Sequence, residues 1–301
     1  MKQRLLSLLA VFVSTSAALA VTPAGVPEGY VVTPFGYYHS SCVRQLAEGD
    51  VLKSDELVIQ HADGALDGMR ACAYPHYTAS GEAIAADAKD PSIEHSWIDG
   101  AYAETKTSYG GLITKWTVPP APKSHDGQTI YFFPGLEDYD GVKTIIQPVL
   151  GWNAYYKNEW GIASWNCCTK GTVYVSTPQP AKAGDTILGG MYDNCKAGTL
   201  ECSSWDVITE DVASHKTTKL TNTSNFKQTF NWGFATVLEV YNVVRCSDYP
   251  PTDRLTSSEI ALYNDQFKQV SPNWVPFVFD KVTPQCGYGA SGNETKITIT
   301  Y

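Results

Sequence analysis

The sequence predicts an all-β protein built mainly as an antiparallel β-sandwich, with a small N-terminal segment and one C-terminal helix. From about residue 108 onward, short apolar or alternating runs are separated by Gly, Pro and Asp turns, a pattern typical of sandwiches. The chain has 301 residues, 43% of them hydrophobic, so it can bury a substantial core. We expect a jelly-roll or concanavalin-like arrangement. The predicted strands are GGLITKWTVPP, QTIYFFPGLED, KTIIQPVLGW, GTVYVSTPQP, DTILGGMYD, SWDVITEDV, FATVLEVYNVV, WVPFVFDKV and KITITY.

The predicted order along the chain is a signal peptide over residues 1–20, an N-terminal segment over 21–107 and the β-sandwich over 108–301. The first residues combine basic Lys2 and Arg4 with an apolar centre and a small-residue cleavage site. Their apolar stretch is too short and too polar for a membrane anchor. The sequence therefore predicts a secreted, extracellular protein.

The N-terminal segment differs in character from the sandwich sequence that follows it. The stretch TPFGYYHSSCVRQLAEGDVL predicts a hairpin with its turn near Gly49, and GEAIAADAKDP is typical of a linker or an exposed loop. Two hypotheses stay open for this segment. It is either a propeptide that is removed or a small retained module held together by Cys42 and Cys72.

One helix is predicted near the C-terminus. Thr256 and Glu259 form a capping box ahead of IALYNDQFKQV, in which Ile260, Tyr263 and Phe267 recur at helical spacing. We expect this helix to pack across an edge of the sandwich.

All eight cysteines follow the predicted signal peptide, and an even number in a secreted chain favours disulfides over metal ligation. Cys195 and Cys202 bracket a short loop and are the easiest local pair. The adjacent Cys167 and Cys168 are expected to bond to different partners. Because the sequence has neither C-x-x-C nor H-E-x-x-H spacing, it predicts no metal site and no cofactor.

The charge of the chain limits its partners. The formal charge is −9, and it becomes about −11 when the basic residues of the signal peptide are lost. Such a protein is not expected to bind nucleic acid or an anionic membrane, and we expect a monomer. Acidic groups lose charge at low pH, which limits self-repulsion in an acidic medium. Asn222 and Asn293 stand in glycosylation sequons.

Gln147 is the first anomaly in the predicted core. In KTIIQPVLGWN it is a primary amide among Ile146, Val149 and other apolar residues, and an unpartnered buried amide costs roughly 1–3 kcal/mol. Pro148 pushes the residue before it into an extended conformation and is typical of a sheet edge or bulge. The sequence thus predicts an extended Gln147 at an irregular place in a sheet. Either the fold satisfies this amide or something outside the fold uses it.

Glu239, in FATVLEVYNVV, is the second anomaly. Strand alternation puts it on one face with Val237 and Tyr241, while Leu238 and Val240 lie on the other. Because both faces are otherwise largely apolar, this carboxylate is expected to be neutralised, paired or used, with its pKa raised by desolvation. An exposed edge position or a structural ion pair is the alternative.

Together the two side chains suggest peptide hydrolysis without a nucleophilic serine, a nucleophilic cysteine or a metal. If they meet on one sheet surface, Glu239 can deprotonate a water molecule while the Gln147 amide donates a hydrogen bond to the forming oxyanion. The protonated Glu239 can then donate to the leaving nitrogen.

In the order of these motifs, the chain resembles the eqolisin-type glutamic peptidases. FFPGLED followed by TIIQPVLGW is similar to that family's Trp-Val-Gly-Ile-Asp-Gly segment and its Leu-Gln-Thr-Gly strand. ATVLEVYNV stands where the family has Ala-Glu-Trp-Ile-Val-Glu, and the closing GNETKITITY resembles its final strand. The resemblance covers residues 108–301, and it implies a secreted acid endopeptidase with a polypeptide substrate and a Gln/Glu dyad, here Gln147 and Glu239.

The resemblance also implies a substrate cleft and a propeptide. Residues 21–107 would suit the propeptide, and we expect such a segment to cover the cleft or lie beside it. Pro148 and Val149 stand where the family has Thr-Gly, which leaves the activity open. The residues expected to contact substrate are Trp152, Glu137, Phe133, Trp165 and Tyr241.

Three alternatives remain open at this point. In a lectin-like or glycan-active sandwich, Glu239 would act with a second carboxylate, Glu137 or Glu159, at about 5–9.5 Å. A neprosin-like peptidase would use two glutamates, with a Glu in place of Gln147. A non-catalytic secreted binding module would need no pairing of Gln147 with Glu239.

Overall fold

The computed structural model describes residues 22–53, 58–86, 96–141, 144–223, 228–279 and 283–301. The predicted signal peptide lies outside these residues. Within them almost all regular structure is β, and the helical pieces are short 3₁₀ turns such as Ser40–Cys42, Thr169–Gly171 and Cys246–Asp248. None of the helices in the described ranges has the length and apolar character needed to cross a membrane.

The N-terminal part is made of short strands. They are β1 (Tyr30–Thr33), β2 (Gly36–His39), β3 (Val43–Leu46), β4 (Val51–Lys53), β5 (Val58–Gln60), β6 (Leu66–Gly68), β7 (His76–Tyr77) and β8 (Ala83–Ile84). Strands β1, β2, β7 and β8 form one small sheet, and β4, β5 and β6 form another. β1 and β2 are an antiparallel hairpin.

The remaining strands build the sandwich. They are β9 (Trp97–Glu104), β10 (Tyr109–Thr117), β11 (Thr129–Glu137), β12 (Ile145–Trp152), β13 (Trp160–Cys167), β14 (Val173–Ser176), β15 (Gln179–Ala181), β16 (Thr186–Asp193), β17 (Trp205–Asp211), β18 (Lys216–Leu220), β19 (Trp232–Tyr241), β20 (Arg254–Asn264), β21 (Gln269–Val270), β22 (Val275–Val278), β23 (Gly289–Asn293) and β24 (Lys296–Thr300).

These strands form two large sheets, which confirms the predicted β-sandwich. The larger sheet has the order β22-β9-β19-β11-β12-β13-β14-β3, with β15 on β13. The smaller has the order β18-β17-β16-β10-β20-β24-β23, with β21 on β20. Neighbours pair antiparallel, except that β3 of the N-terminal segment joins the edge strand β14 in parallel.

The main core lies between the two sheets. Leu136 and Ile146 of the larger sheet pack there with Met191 and Leu262 of the smaller sheet. We call the side of the larger sheet that faces this core its inner face. Burial of each large aliphatic side chain here contributes about 1.5–3 kcal/mol.

The opposite side of the larger sheet, its outer face, is covered as well. Alternate residues such as Phe133, Val149 and Val237 form a second cluster there with Phe35 and Tyr37 of the N-terminal segment. Strands β11, β12 and β13 are consequently buried along their whole length. Because both faces of these strands are covered, their sequences are continuous apolar runs. A sheet with one solvent-exposed face would instead show strict alternation of apolar and polar residues.

The predicted C-terminal helix is wrong, because its residues form the end of the long strand β20, a turn at Phe267 and the short strand β21, which pairs back on β20. A bulge at Glu259, whose φ is 50°, adds one residue to β20 between the pairs Ile113↔Ala261 and Lys115↔Ser258. Buried positions therefore alternate up to Ser257 and resume at Ile260. That three-residue step imitates helical spacing.

Two other expectations about the N-terminal region need correction. The turn near Gly49 exists, with the Asp50 N–H donating to the Ala47 carbonyl at 3.1 Å, but its flanking strands β3 and β4 do not pair with each other. β3 pairs with β14, and β4 pairs with β5. Strand β9, which the sequence placed in the N-terminal segment, lies between β22 and β19 in the larger sheet.

The cysteines form four pairs, and all eight lie in the described residues. Cys195 pairs with Cys202 as expected, and Cys42 pairs with Cys72 inside the N-terminal segment. The expectation that Cys167 and Cys168 have different partners is wrong, since these two cysteines pair with each other. The fourth pair joins Cys246 to Cys286, and no cysteine is left free. Four disulfides are compatible with an extracellular protein.

Candidate active site

Gln147 lies on the outer face of β12, fully buried. Its neighbours on that face of the strand, Ile145 and Val149, belong to the outer cluster. Neither its Oε1 nor its Nε2 has a hydrogen-bond partner among the described residues. Because an unsatisfied buried amide costs roughly 1–3 kcal/mol, the fold alone does not account for this side chain.

The sheet is irregular beside Gln147, in agreement with the expectation from Pro148. Pairing of β11 with β12 runs through Phe132↔Leu150 and resumes only at Leu136↔Ile146. The interrupted stretch contains Pro134 on β11 and Pro148 on β12, and neither proline has an N–H to donate. On the other side of β12, pairing is continuous and sets Trp165 of β13 opposite Gln147.

Glu239 lies on the outer face of β19 and is also fully buried. Its Oε1 accepts hydrogen bonds from the Ser96 hydroxyl and from the Tyr241 hydroxyl, the latter at 2.6 Å. Its Oε2 has no hydrogen-bond partner in the described part of the chain. Burial raises the pKa of Glu239 to about 8, although the side chains of Ser96, Tyr241 and Trp97 oppose the shift. The carboxyl is therefore protonated at neutral and acidic pH in this covered form.

Gln147 and Glu239 share the outer face but are not neighbours. Glu239 is opposite Tyr131 of β11, which is opposite Gly151 of β12. Gln147 lies four residues further along β12, so the two Cα atoms are separated by roughly 13 Å along the strands and roughly 10 Å across them. The resulting Cα separation of roughly 16 Å is too long for a single water molecule to sit between two side chains that stand upright on the sheet.

Glu137 is the acidic side chain that the register brings closest to Gln147. It is buried at the end of β11, opposite Ile145 of β12 and Trp232 of β19. This makes it a diagonal neighbour of Gln147, and diagonal pairs across two strands have Cα atoms about 7–8 Å apart. Gly135 is level with Gln147 on β11, and the Ile145 side chain packs over it, since a Cβ at this position would lie 2.8 Å from Ile145 Cδ1.

Of the other residues expected to contact substrate, three lie on the outer face and one does not. Phe133, Trp165 and Tyr241 belong to the outer cluster. Trp152 belongs to the inner core, where its ring meets Trp160 edge to face at 5.4 Å. The expected role of Trp152 needs correction, since five positions separate it from Gln147 and an odd separation on a strand reverses the face.

The hairpin β1–β2 covers both polar positions. Phe35 meets Trp165 edge to face at 5.9 Å, on the Gln147 side. The Gly36 N–H donates to the Tyr241 hydroxyl at 2.7 Å, and Tyr37 meets the Tyr241 ring edge to face at 5.5 Å, on the Glu239 side. The N-terminal segment therefore lies directly over the candidate site.

Sequence reasoning missed Ser96 and Tyr131, both beside Glu239. Ser96 comes from the start of the described chain before β9, 143 positions from its partner, so no local pattern could indicate it. The position of Tyr131 opposite Glu239 follows only from the pairing register of β11 and β19. A register map of the outer face would have found Tyr131 but not Ser96.

The carboxylate pairs required by a glycan-active site do not form. Glu239 is level with Tyr131 on β11, and Glu137 lies six residues further along the same strand, roughly 20 Å away. Two-carboxylate glycoside chemistry needs about 5–9.5 Å. Glu159 stands in the connection between β12 and β13, beyond the strand ends and three strands away from Glu239.

No family model and no curated protein matches the chain. Among solved structures, it resembles scytalidoglutamic peptidase with a peptide-based transition-state analog, with a TM-score of 0.49, 11% identity, and coverage of 68% of this chain and 98% of that chain. SCP-B, a member of the Eqolisin family in complex with the tripeptide Ala-Ile-His, has a TM-score of 0.48, 13% identity and coverages of 68% and 98%. Aspergilloglutamic peptidase from Aspergillus niger has a TM-score of 0.39, 14% identity and coverages of 57% and 98%. Similarity at this level is remote, and the chemistry of the site rests on its own residues.

Proposed function

We propose that this protein is a secreted glutamic-type acid hydrolase of polypeptides, in which Glu239 is the acid–base carboxyl and the N-terminal segment blocks the site until it is removed. One observation carries the proposal. Glu239 is a fully buried carboxyl with one oxygen held by Ser96 and Tyr241, the other oxygen without a partner in the described ranges, and a hairpin tip above it.

Uncovering the site would change the protonation of Glu239. Its pKa of about 8 is due mainly to burial, so the covered carboxyl keeps its proton and cannot act as a base. When water replaces the hairpin, desolvation is relieved and the pKa falls towards the ordinary range of a glutamate. Glu239 is then ionised in mild acid, which is the state that a general base requires.

In the proposed reaction, the free Oε2 of Glu239 takes a proton from a water molecule, and the water oxygen attacks the peptide carbonyl. Ser96 and Tyr241 fix Oε1, so the carboxyl does not rotate while Oε2 accepts the proton. The protonated Glu239 then donates to the leaving nitrogen as the C–N bond breaks. Activity peaks in acid because the base must be ionised while the leaving group is still readily protonated.

Gln147 takes a role along the same cleft that differs from the one predicted. An extended peptide on β11 covers the roughly 13 Å between the two levels with about four residues. We therefore assign the Gln147 amide to the peptide backbone of the substrate, where both its N–H groups and its carbonyl can pair. Glu137, diagonal to Gln147, is the one competing candidate for the base.

The experiment measures hydrolysis of denatured protein from pH 2 to 8 after the mature N-terminus has been mapped by mass spectrometry. Glu239→Gln is expected to lose about 10²–10⁴-fold in rate, since an amide cannot accept the proton. Glu137→Gln is the matched control and keeps most of the rate. Inhibitors of serine and cysteine peptidases and a chelator should have no effect.

Three outcomes would contradict the proposal. A rate that survives in Glu239→Gln and is lost in Glu137→Gln moves the base to the pair of Glu137 and Gln147. A neutral pH optimum or loss of activity with a chelator excludes the glutamic mechanism. Absence of proteolysis in every form, together with retention on a glycan array, would favour a binding protein.

A further inference from the structure

The tip of the β1–β2 hairpin is buried, which is unusual for a turn. Thr33, Phe35 and Tyr37 are exposed by 0%, 3% and 0%. Turns normally lie on the surface because their backbone groups need water. This tip is instead inserted between the rest of the N-terminal segment and the outer face of the larger sheet.

The tip is closed by its own hydrogen bonds. The Thr33 hydroxyl donates to the Gly36 carbonyl at 2.9 Å and accepts from the Phe35 N–H at 3.2 Å. Gly36 has φ of 112°, and a Cβ at this position would lie 2.4 Å from the Tyr77 carbonyl oxygen, so only glycine fits. A closed turn does not offer an extended peptide bond to a hydrolase, which lets the tip occupy the cleft without being cut.

Two aromatic side chains of the tip lie beside the two polar positions. The Phe35 ring contacts Trp165, the residue opposite Gln147. The Tyr37 ring contacts Tyr241, whose hydroxyl bonds Glu239. Between them, the Gly36 N–H donates to the Tyr241 hydroxyl. Each polar position thus has an aromatic ring packed next to it.

A substrate must enter the space that the tip leaves. Glu239 is 0% exposed, so no peptide reaches it while the tip is in place. The walls around Phe35 and Tyr37 are formed by rings such as Tyr131, Phe133 and Trp165. Aromatic side chains gain burial and edge-to-face contacts there, whereas a charged side chain would be desolvated without a partner.

Resting on the proposed function, we infer that the cleft has two aromatic subsites, one beside Trp165 and one beside Tyr241, and that its substrates are polypeptides that place an aromatic side chain in each. The subsite beside Tyr241 takes a side chain next to the bond that is cut, because it adjoins Glu239. The subsite beside Trp165 takes the second ring, on the Gln147 side.

The test uses the full chain with Phe35→Ala, which vacates one subsite and loosens the tip. Cleavage is measured after the N-terminal segment has been removed, because that segment blocks the site. Cleavage sites in a peptide library are mapped by mass spectrometry, and they should be enriched in Phe or Tyr at two positions, one of them next to the bond that is cut. Binding is measured independently with the peptide YVVTPFGYYH, which is the hairpin from 30 to 39. Its control, with Ala at the positions of Phe35 and Tyr37, should bind about tenfold to hundredfold more weakly.

The outcomes separate this inference from the proposed function. Cleavage without aromatic enrichment overturns the subsites and leaves the hydrolase. No cleavage, but binding of the hairpin peptide in preference to its control, supports the subsites while the hydrolase fails. Equal binding of the two peptides overturns the subsites. If Phe35→Ala does not fold by circular dichroism, Thr33→Val takes its place, because it is isosteric and removes only the two hydrogen bonds that close the tip.

Discussion

Two buried primary amides lie on neighbouring strands of the larger sheet and differ in one respect. Asn166 of β13 faces inward, where its Nδ2 donates to the Thr223 carbonyl at 2.6 Å and to the Thr223 hydroxyl at 2.9 Å. Gln147 of β12 faces outward, and neither atom of its amide has a partner within the described residues. The fold supplies hydrogen-bond partners to the Asn166 amide and, within the described residues, none to the Gln147 amide. This difference indicates a structural role for Asn166 on the inner face and contact with a ligand for Gln147 on the outer face.

A similar comparison holds for two buried carboxyls. Burial raises the pKa of Glu239, on the outer face, to about 8, and it also raises the pKa of Asp99 to about 8. Asp99 is opposite Leu238 of the inner core, and its carboxyl accepts from the Gly289 N–H at 2.9 Å, in the smaller sheet. One carboxyl therefore ties the two sheets together, and the other lies beneath the hairpin tip.

The largest predicted effect is the dependence of stability on pH. A carboxyl whose folded pKa is raised stabilises the fold fully below its unfolded pKa of about 4, and this contribution is lost as pH rises through the folded pKa of about 8. The free energy of unfolding of the covered chain should therefore increase by several kcal/mol, on the order of one per pH unit and group, as pH falls from about 8 to about 4. Thermal unfolding across this range measures it.

Variants of Glu239 and Asp99 test whether these two carboxyls cause the pH dependence of stability. Glu239→Gln and Asp99→Asn should each remove part of the slope, and the double variant should remove most of it. Only Glu239→Gln should also abolish hydrolysis. A full slope in the double variant would contradict the assignment to these two carboxyls.

The next largest predicted effect is a change in the free energy of unfolding when either amide is replaced, and its sign differs between Asn166 and Gln147. Asn166→Ala leaves the Thr223 carbonyl without its donor and should lower the free energy of unfolding by about 1–3 kcal/mol. Gln147→Leu removes an unsatisfied amide and should leave stability equal or raise it by about 1 kcal/mol. Urea unfolding of the covered chain gives both values.

Activity per folded molecule should show the reverse order for these two variants. Asn166→Ala keeps it, and Gln147→Leu loses the hydrogen bonds to the substrate, roughly a tenfold effect or more. A strongly destabilised Gln147→Leu would mean that the fold does use this amide, and the distinction between the two faces would then be lost.

The smallest effect belongs to the Tyr241 hydroxyl. Tyr241→Phe removes its bonds to Glu239 and to the Gly36 N–H, which should weaken the attachment of the hairpin tip by about 1 kcal/mol. Protease sensitivity of the N-terminal segment should rise about fivefold. Thr256→Val is the control: it removes a hydroxyl contact between Thr256 of β20 and Thr298 of β24 in the smaller sheet, and it should leave the protease sensitivity unchanged.

The sequence supported the sandwich because turn residues and apolar runs are local signals. It named Phe133, Trp165, Tyr241 and Trp152 together as substrate contacts without assigning them to the inner or the outer face, because the face of a residue depends on position and register along its strand. Trp152 was assigned to the cleft although its odd separation from Gln147 on one strand puts it in the inner core. The helix was predicted because Ile260, Tyr263 and Phe267 recur at helical spacing, but Ile260 and Tyr263 lie in β20 and Phe267 lies in the turn that leads to β21.

The candidate site was only partly accessible from the sequence. An amide and a carboxylate in apolar strands stand out because burial without a partner is costly. Their separation does not follow from either strand alone, since it depends on how β11 aligns both of its neighbours. Ser96 could not be found because it reaches Glu239 only through the tertiary fold.

The pairing of the cysteines determines what would happen to the N-terminal segment if the proposed removal cut the chain between β8 and β9. The disulfide of the N-terminal segment joins Cys42 to Cys72, and the other three lie within the sandwich. Once the backbone is cut, the blocking segment and the sandwich are two molecules, and their association depends on concentration. The complex persists in a crowded compartment and dissociates on dilution. Release into a large external volume would therefore unblock the site without any further chemical step.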